Sequence, residues 1–266
     1  MMKRALFLIL SFLVIPTSIA AESFDHRIWD KLLKHHVQVL DGGKSSTVNY
    51  QGMADERAVL QDYLKTLSAV KRDEFDSWNK EEQLAYLINT YNAWTVALIL
   101  TAWPDIASIK DLGGFFTSPW DQAFIPMMEE GRSLDDIEHE IIRKSGRYNE
   151  PRIHFALNCA SISCPALRAE AYTGERLEQQ LEEQTQLFLS DRSRNRLNKN
   201  TLEVSSIFKW YDDDFEKGWL GFTSLSSFFI KYASSLGLSE EDAQRLHHEK
   251  IDIVYLDYDW RLNSEK

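Results

Sequence analysis

Seven side chains with reactive or ligand-binding chemistry fall between residues 154 and 168: His154, Asn158, Cys159, Ser161, Ser163, Cys164 and Arg168. Nucleophilic catalysis needs a nucleophile, a base within hydrogen-bond reach and a group that orients the base. His154 is the candidate base, and Cys164, Cys159, Ser161 and Ser163 are the candidate nucleophiles. Arg168 could hold a substrate carboxylate in a bidentate pair, or brace the segment against Glu170 or Glu175. A purely structural loop has little need of so many polar types, since each one buried without a partner costs roughly 1–3 kcal/mol. The plainer alternative is that His154 is a buried, hydrogen-bonded histidine with no part in chemistry.

Cys159 and Cys164 are the chain's two cysteines. In an oxidising compartment an even count usually means a disulfide, and this spacing allows a small closed ring. So short a ring removes little unfolded-state entropy, on the order of 2 kcal/mol, and would clamp the loop locally. Reactive free thiols and inert core cysteines are the other two readings.

Asn89 and Asn92 share one side of an apolar helical pattern. Buried amides are costly unless bonded, so they either wall a cleft near His154 or bridge to loop backbone. With Arg168 and Asn158 they make up the candidate substrate-binding set. The run His139-Glu140-Ile141-Ile142-Arg143 begins like a zinc-peptidase helix, but Arg143 stands where the second histidine belongs. A zinc site would have to gather His139, His154 and a cysteine from afar, so no metal site is expected. Glu138, Glu140 and Arg143 read as a solvated helix face with local ion pairs. Trp210, Tyr211 and the run Asp212-Asp213-Asp214 could offer a stacking surface beside carboxylates, although such aromatics more often fill a core. Nothing in the sequence calls for a cofactor.

The elements that must position these groups are mostly helices. Ile28, Trp29, Leu32, Leu33, Val37 and Leu40 give helical spacing over 26–40, stopped by Asp41-Gly42-Gly43. A second helix is expected over about 53–70. The strongest begins at Asn79, with Glu82 three residues on as in a capping box, and closes before Pro104. Gly113-Gly114, Pro119 and Pro126 mark an irregular aromatic stretch, Phe115 to Trp120. Ser133 with Asp136 caps the next helix, and Leu177 to Leu189 is amphipathic. Residues 225–236 read as a helix ending at Gly237. Alternation predicts strands near 153–158, 202–208 and 251–257.

Four motifs in order carry a resemblance. Ile88-Asn89-Thr90-Tyr91-Asn92-Ala93 comes first, then Asp135-Asp136-Ile137-Glu138-His139, then the long stretch Pro151 to Arg168. Val204 to Tyr211 with Asp214-Phe215 closes the set. Together they resemble the family called "domain of unknown function 547", over roughly residues 80 to 220. That resemblance implies no assigned activity; bacterial members are often exported, and plant members join the domain to a coiled coil. Plant members keep the His, Ser, Pro and Arg of the long motif without needing both Cys, so a cysteine mechanism is not implied for the whole family.

Lys3 and Arg4, an apolar run from Ala5 to Pro16, and then Thr17-Ser18-Ile19-Ala20-Ala21 have the order of a secretory signal peptide. The apolar run falls short of the ~20 residues a spanning helix needs. Cleavage after Ala20 or Ala21 would leave residues 22–266 as a single periplasmic or secreted domain with no membrane span. The whole chain's 41 acidic residues against 30 basic ones disfavour nucleic acid, whose phosphates demand clustered cations. With 44% hydrophobic residues, eight of them Trp, the chain has the bulk to fill a core.

The expected fold class is α+β: a helix-rich domain with a small, mostly antiparallel sheet, in the manner of papain-like and transglutaminase-like folds. In those folds the base histidine opens a strand and the nucleophile begins a long helix. The helix after Asn79 starts without a cysteine, so the nucleophile would come from residues 159–164. Two function classes follow. One is a hydrolase or acyl transferase acting on an amide, thiol or peptide-like substrate with His154 as base. The other is a binding or scaffold module whose loop is locked by a Cys159–Cys164 disulfide, with a small molecule or peptide as partner.

Overall fold

The computed structural model describes residues 23–114 and 117–265. The expected signal peptide, residues 1–21, and Phe115-Phe116 of the aromatic stretch lie outside the described residues. Helix dominates: α1 (Arg27–His36), α2 (Tyr50–Asp55), α3 (Arg57–Ala69), α4 (Arg72–Ser77) and α5 (Lys80–Ile99) precede a π-helix over Asp136–Arg143. After it come α6 (Leu177–Ser190), α7 (Ile207–Trp210), α8 (Asp212–Glu216), α9 (Leu225–Lys231), α10 (Ala233–Leu236) and α11 (Glu240–His247). Among the described residues the strands are short and fall into three small sheets. β1 (Val37–Leu40) pairs antiparallel with β2 (Ser45–Val48), and β3 (Ile125–Met127) with β4 (Glu130–Arg132). β5 (Arg196–Asn198) pairs antiparallel with β6 (Thr201–Ser205), which takes β7 (Asp252–Leu256) parallel on its other side. The class is α+β.

α5 organises the molecule. Asn79 caps it by accepting from Glu82 N at 2.7 Å, while the Glu82 carboxylate accepts from Phe24 N at 2.8 Å rather than closing a capping box. From Glu82 to Ile99 it is buried on nearly every face, the mark of a helix at the centre of a core. The first apolar core collects α1, α3 and α5, with Trp29, Tyr63, Tyr86 and Leu87 fully covered. A second gathers Phe188, Phe208, Phe215 and Phe228 from α6 to α9. Ser133 and Asp136 cap the π-helix reciprocally, Asp136 N donating to Ser133 Oγ and Ser133 N to the Asp136 carboxylate.

Four sequence expectations change. The first helix ends at His36, because β-branched Val37 and Val39 pair into a hairpin that Gly42 and Gly43 turn at positive φ. The second is two helices, α2 and α3, meeting at Glu56. Residues 153–158 form no strand: Pro151 starts a 3-10 helix to Phe155, with Glu150 accepting from Arg152 N at 3.1 Å. Every residue from Pro151 to Asn158 is buried, Ile153 in the first core and Phe155 in the second, so the alternation had no solvent face behind it. His154 therefore does not open a strand as a papain- or transglutaminase-like order would require. The strand at 202 stops at Ser205, two residues before α7 begins at Ile207. By contrast, α6, β7 and the helical pair α9–α10 ending at left-handed Gly237 lie where their patterns put them.

Candidate active site

The chain past β7 runs back over the long motif as a strap. Ile162 N donates to Arg261 O at 2.9 Å, Ser163 N to Asp259 O at 3.2 Å, and Asn263 N to Ala160 O at 3.1 Å. Two asparagines hold the motif from beneath. Asn92 donates to Ala156 O at 3.0 Å and accepts from Asn158 N at 2.8 Å. Asn158 donates to Pro165 O at 2.7 Å and accepts from Ala160 N at 2.9 Å. Ala160 is thereby kept in the left-handed region at φ 60, a conformation that costs an L residue roughly 1–2 kcal/mol. The turn so made brings the two cysteines together.

Cys159 Sγ lies 2.8 Å from Cys164 Sγ, and both thiols are free. Ser161 Oγ and Tyr258 Oη, the latter from the strap, each stand 3.3 Å from Cys159 Sγ. Cys159 N–H donates to Cys164 Sγ at 2.8 Å. The Cys164 thiol bonding to it draws the Cys159 thiol down to about 7 against its burial, helped by the Ser161 and Tyr258 hydroxyls. Burial, with Cys159 alongside, pushes Cys164 well up. The pair is asymmetric: one sulfur ionises near neutrality, and the other keeps its proton.

Both cysteines line a cavity of about 270 Å³. His154 stands in its wall, nearly covered, with its ring stacked on Tyr211 at 3.8 Å between centroids. His154 Nε2 donates to Asp214 Oδ2 at 2.8 Å, and Nδ1 faces Glu138 Oε1 at 3.8 Å. Burial works against ionisation of Asp214, yet His154, Arg143 and Lys217 bond to it and hold its carboxyl far below the usual carboxylate range. Asp135 also lines the cavity, and burial with the neighbouring Asp121 carboxyl pushes it up to about 7. Trp120, Trp210, Tyr258 and Trp260 make an aromatic rim, with Tyr258 and Trp260 rings 4.5 Å apart.

Residues 75–189 match the family described as "Protein of unknown function, DUF547". This segment belongs to that family, as the resemblance implied. No curated protein and no solved structure matches the chain. The DUF547 segment supplies the cysteines, His154, Asp135 and Glu138, while Tyr211, Asp214, Tyr258 and Trp260 enter the site from beyond it.

The remaining candidates are placed as follows. Asn89 donates to Tyr172 O at 2.7 Å and accepts from Tyr172 N at 3.0 Å, outside the cavity. Asn89, Asn92 and Asn158 are thus bridges to backbone. Ser163 Oγ accepts from Asp259 N at 2.8 Å and fastens the strap. Arg168 pairs with Glu170 and Glu183, braced as expected by Glu170, on a separate depression of about 620 Å³. His154 makes no hydrogen bond to either sulfur among the described residues, since its Nε2 is taken by Asp214 and its Nδ1 faces Glu138. His139 bonds to Arg143. Among the described residues, the grouping with mutually close ligand atoms is His35, His36 and Glu56, away from this cavity.

Glu138 and Arg143 are not a solvated face. Glu138 is 5% exposed in the cavity wall and Arg143 bonds to Asp214, leaving Glu140 as the solvated member, paired with Lys144. Trp210 and Tyr211 do present rings beside carboxylates: Asp135 and Glu138 line the cavity with them, and of the Asp run Asp214 reaches the site through His154. Tyr258, Trp260 and Trp120 were not singled out for the site. Asp135 and Glu138, three apart in a motif otherwise read as helix surface, were the available signal.

Proposed function

We propose that the protein is a thiol-dependent enzyme of acyl transfer, a hydrolase or acyl transferase, with Cys159 as nucleophile. The observation that carries the reading is the convergence of Cys164, Ser161 and Tyr258 on one cavity-facing sulfur. Three donors around a thiol favour its anion, the form that attacks. A sulfur already ionised near neutral pH needs no histidine to remove its proton.

In this scheme the Cys159 thiolate adds to an acyl carbon and the leaving amine or alcohol departs with a proton. Asp135 lines the same cavity and, with its carboxyl near 7, still carries a proton at neutral pH to give. Water, or a second acceptor, then releases the thioester. His154 serves as a positioning residue, tying Asp214 on α8 to Glu138 on the π-helix and stacking under Tyr211. The partner is a small molecule or peptide, with the aromatic rim as its contact surface. The order of residues 1–21 supports export, with cleavage after Ala20 or Ala21.

Acylation by p-nitrophenyl acetate tests the reading. A burst of nitrophenolate with one acetyl group on Cys159, absent in Cys159→Ala, is the expected result. Acetylation of native Cys159 no faster than in the urea-unfolded chain would overturn it. N-terminal sequencing of the protein from an expressing cell checks export, and Met1 retained on a cytosolic chain would refute it.

A further inference from the structure

We infer that Cys159 and Cys164 are a working dithiol that exchanges with disulfide-bonded molecules entering the aromatic cavity, Cys159 attacking and Cys164 resolving. This goes beyond acyl transfer, which uses one sulfur, and needs no acyl substrate. A nucleophile for acyl chemistry gains a donor from any hydroxyl, and Ser161 and Tyr258 already supply two. A second thiol, with its sulfur 2.8 Å from the first, adds the capacity to close a bond. Cys159 is the more exposed of the two, and Cys164 is 4% exposed behind it. The left-handed Ala160, held by Asn158 and the strap, keeps the short ring in the shape that sets sulfur against sulfur.

The order of events follows from the charges. Cys159 as thiolate attacks one sulfur of the incoming disulfide. The new bond is Cys159–S to that sulfur, and the other half leaves as a thiolate. Part of what holds the proton on Cys164 is the charge on Cys159, and that charge vanishes in the mixed disulfide. Cys164 then gives its proton to the departed thiolate, attacks Cys159 Sγ, and releases the second half as a thiolate. One substrate disulfide has become two thiols, and the two cysteines have become one disulfide. A small thiol attacking that bond restores the dithiol.

The cavity also selects the disulfide. Asp135 and Glu138 line it together with Cys159, and among the described residues no Lys or Arg does. The rim is aromatic, and one of its rings already holds a cation: this chain's own Lys110 Nζ sits 3.8 Å over Trp260. An amine-bearing disulfide therefore suits the entrance, through the acidic Glu138 and through cation–π contact with the aromatic rim, and a carboxylate-rich one does not.

The test uses cystamine, the small diamine disulfide, against glutathione disulfide, read by intact mass. Wild-type protein with cystamine should lose two hydrogens. Cys164→Ser should accumulate one cysteamine on Cys159, and Cys159→Ser should gain none. Cystamine should react ~10-fold or more faster than glutathione disulfide at low salt, the gap narrowing as salt is added. The wild-type readout needs no variant, so a misfolded substitution does not spoil it. A wild-type chain that keeps both thiols, or a Cys164→Ser protein without adduct, would overturn the exchange even if Cys159 still acetylates. Equal rates for the two disulfides would overturn the cavity as the route to Cys159.

Discussion

His154 Nε2 and Asp214 Oδ2 meet at 2.8 Å across sixty residues of sequence, and the same carboxylate also accepts from Arg143 and Lys217. An amide there keeps one acceptor oxygen but loses the charge and sets an NH2 group against donors that now lack a partner. Asp214→Asn should cost about 3 kcal/mol in urea unfolding. Because the folded carboxyl ionises far below the usual range, its contribution is present above the ordinary carboxylate pKa. It is lost as pH falls through the acid range. The difference between wild type and variant should therefore be full at neutral pH and shrink in acid. A variant within ~0.5 kcal/mol of wild type at pH 7 would show that the cluster is not a stabilising one.

Alkylation of Cys159 by iodoacetamide should rise with a midpoint at about pH 7. Cys164→Ala removes the largest cause of that lowering, so the midpoint should move toward the ordinary thiol value of 9. A shift of one unit corresponds to about 1.4 kcal/mol of lost thiolate stabilisation. Tyr258→Phe removes a lesser donor and should move the midpoint less, in the same direction. An unchanged midpoint in Cys164→Ala would show that the second thiol is not what holds the anion.

What the sequence revealed depended on how local the cause was. The cap at Asn79, the Ser133–Asp136 pair and the helical stripe of α6 act within a few residues, and each was readable. The meeting of Cys159 and Cys164 also needs only a five-residue turn. Tyr258 reaches Cys159 from ninety-nine residues away, so only the strap's path over the loop could reveal it. Period-two alternation failed at residues 153–158 because both faces are buried, with Ile153 and Phe155 of one predicted face in different cores, and alternation is informative only when one side meets water. The Asp135–Glu138 spacing was visible, but nothing local distinguishes a cavity wall from a wet helix face.

Asn92 tests whether the loop geometry or the individual sulfurs matter. Its amide serves Ala156 O and Asn158 N, both buried, so Asn92→Ala leaves an acceptor and a donor unpaired. The expected cost is about 3 kcal/mol by thermal or urea unfolding. The released turn should also raise the alkylation midpoint of Cys159, because Cys164 no longer stays against it. Stability lost with the midpoint unmoved would separate the scaffold from the dithiol geometry.

Asp135 should give the protein a pH dependence opposite in sign to that of Asp214. Its folded carboxyl is pushed up to about 7 by burial and by Asp121, above the ordinary value of 3.8. Between those two pH values the unfolded chain has released its proton while the folded chain retains it, so stability falls as pH rises through that window. Asp135→Asn cannot ionise and escapes this loss. It should be more stable than wild type above pH 7, with the advantage fading as pH falls toward 4. If Asp135 also donates the proton in acyl transfer, wild-type turnover should follow a narrow bell centred near pH 7, since thiolate and protonated carboxyl coexist only there. Asp135→Asn should flatten the alkaline limb of that bell while lowering its height. A variant that loses stability at every pH, with the alkaline limb intact, would assign Asp135 to the scaffold alone.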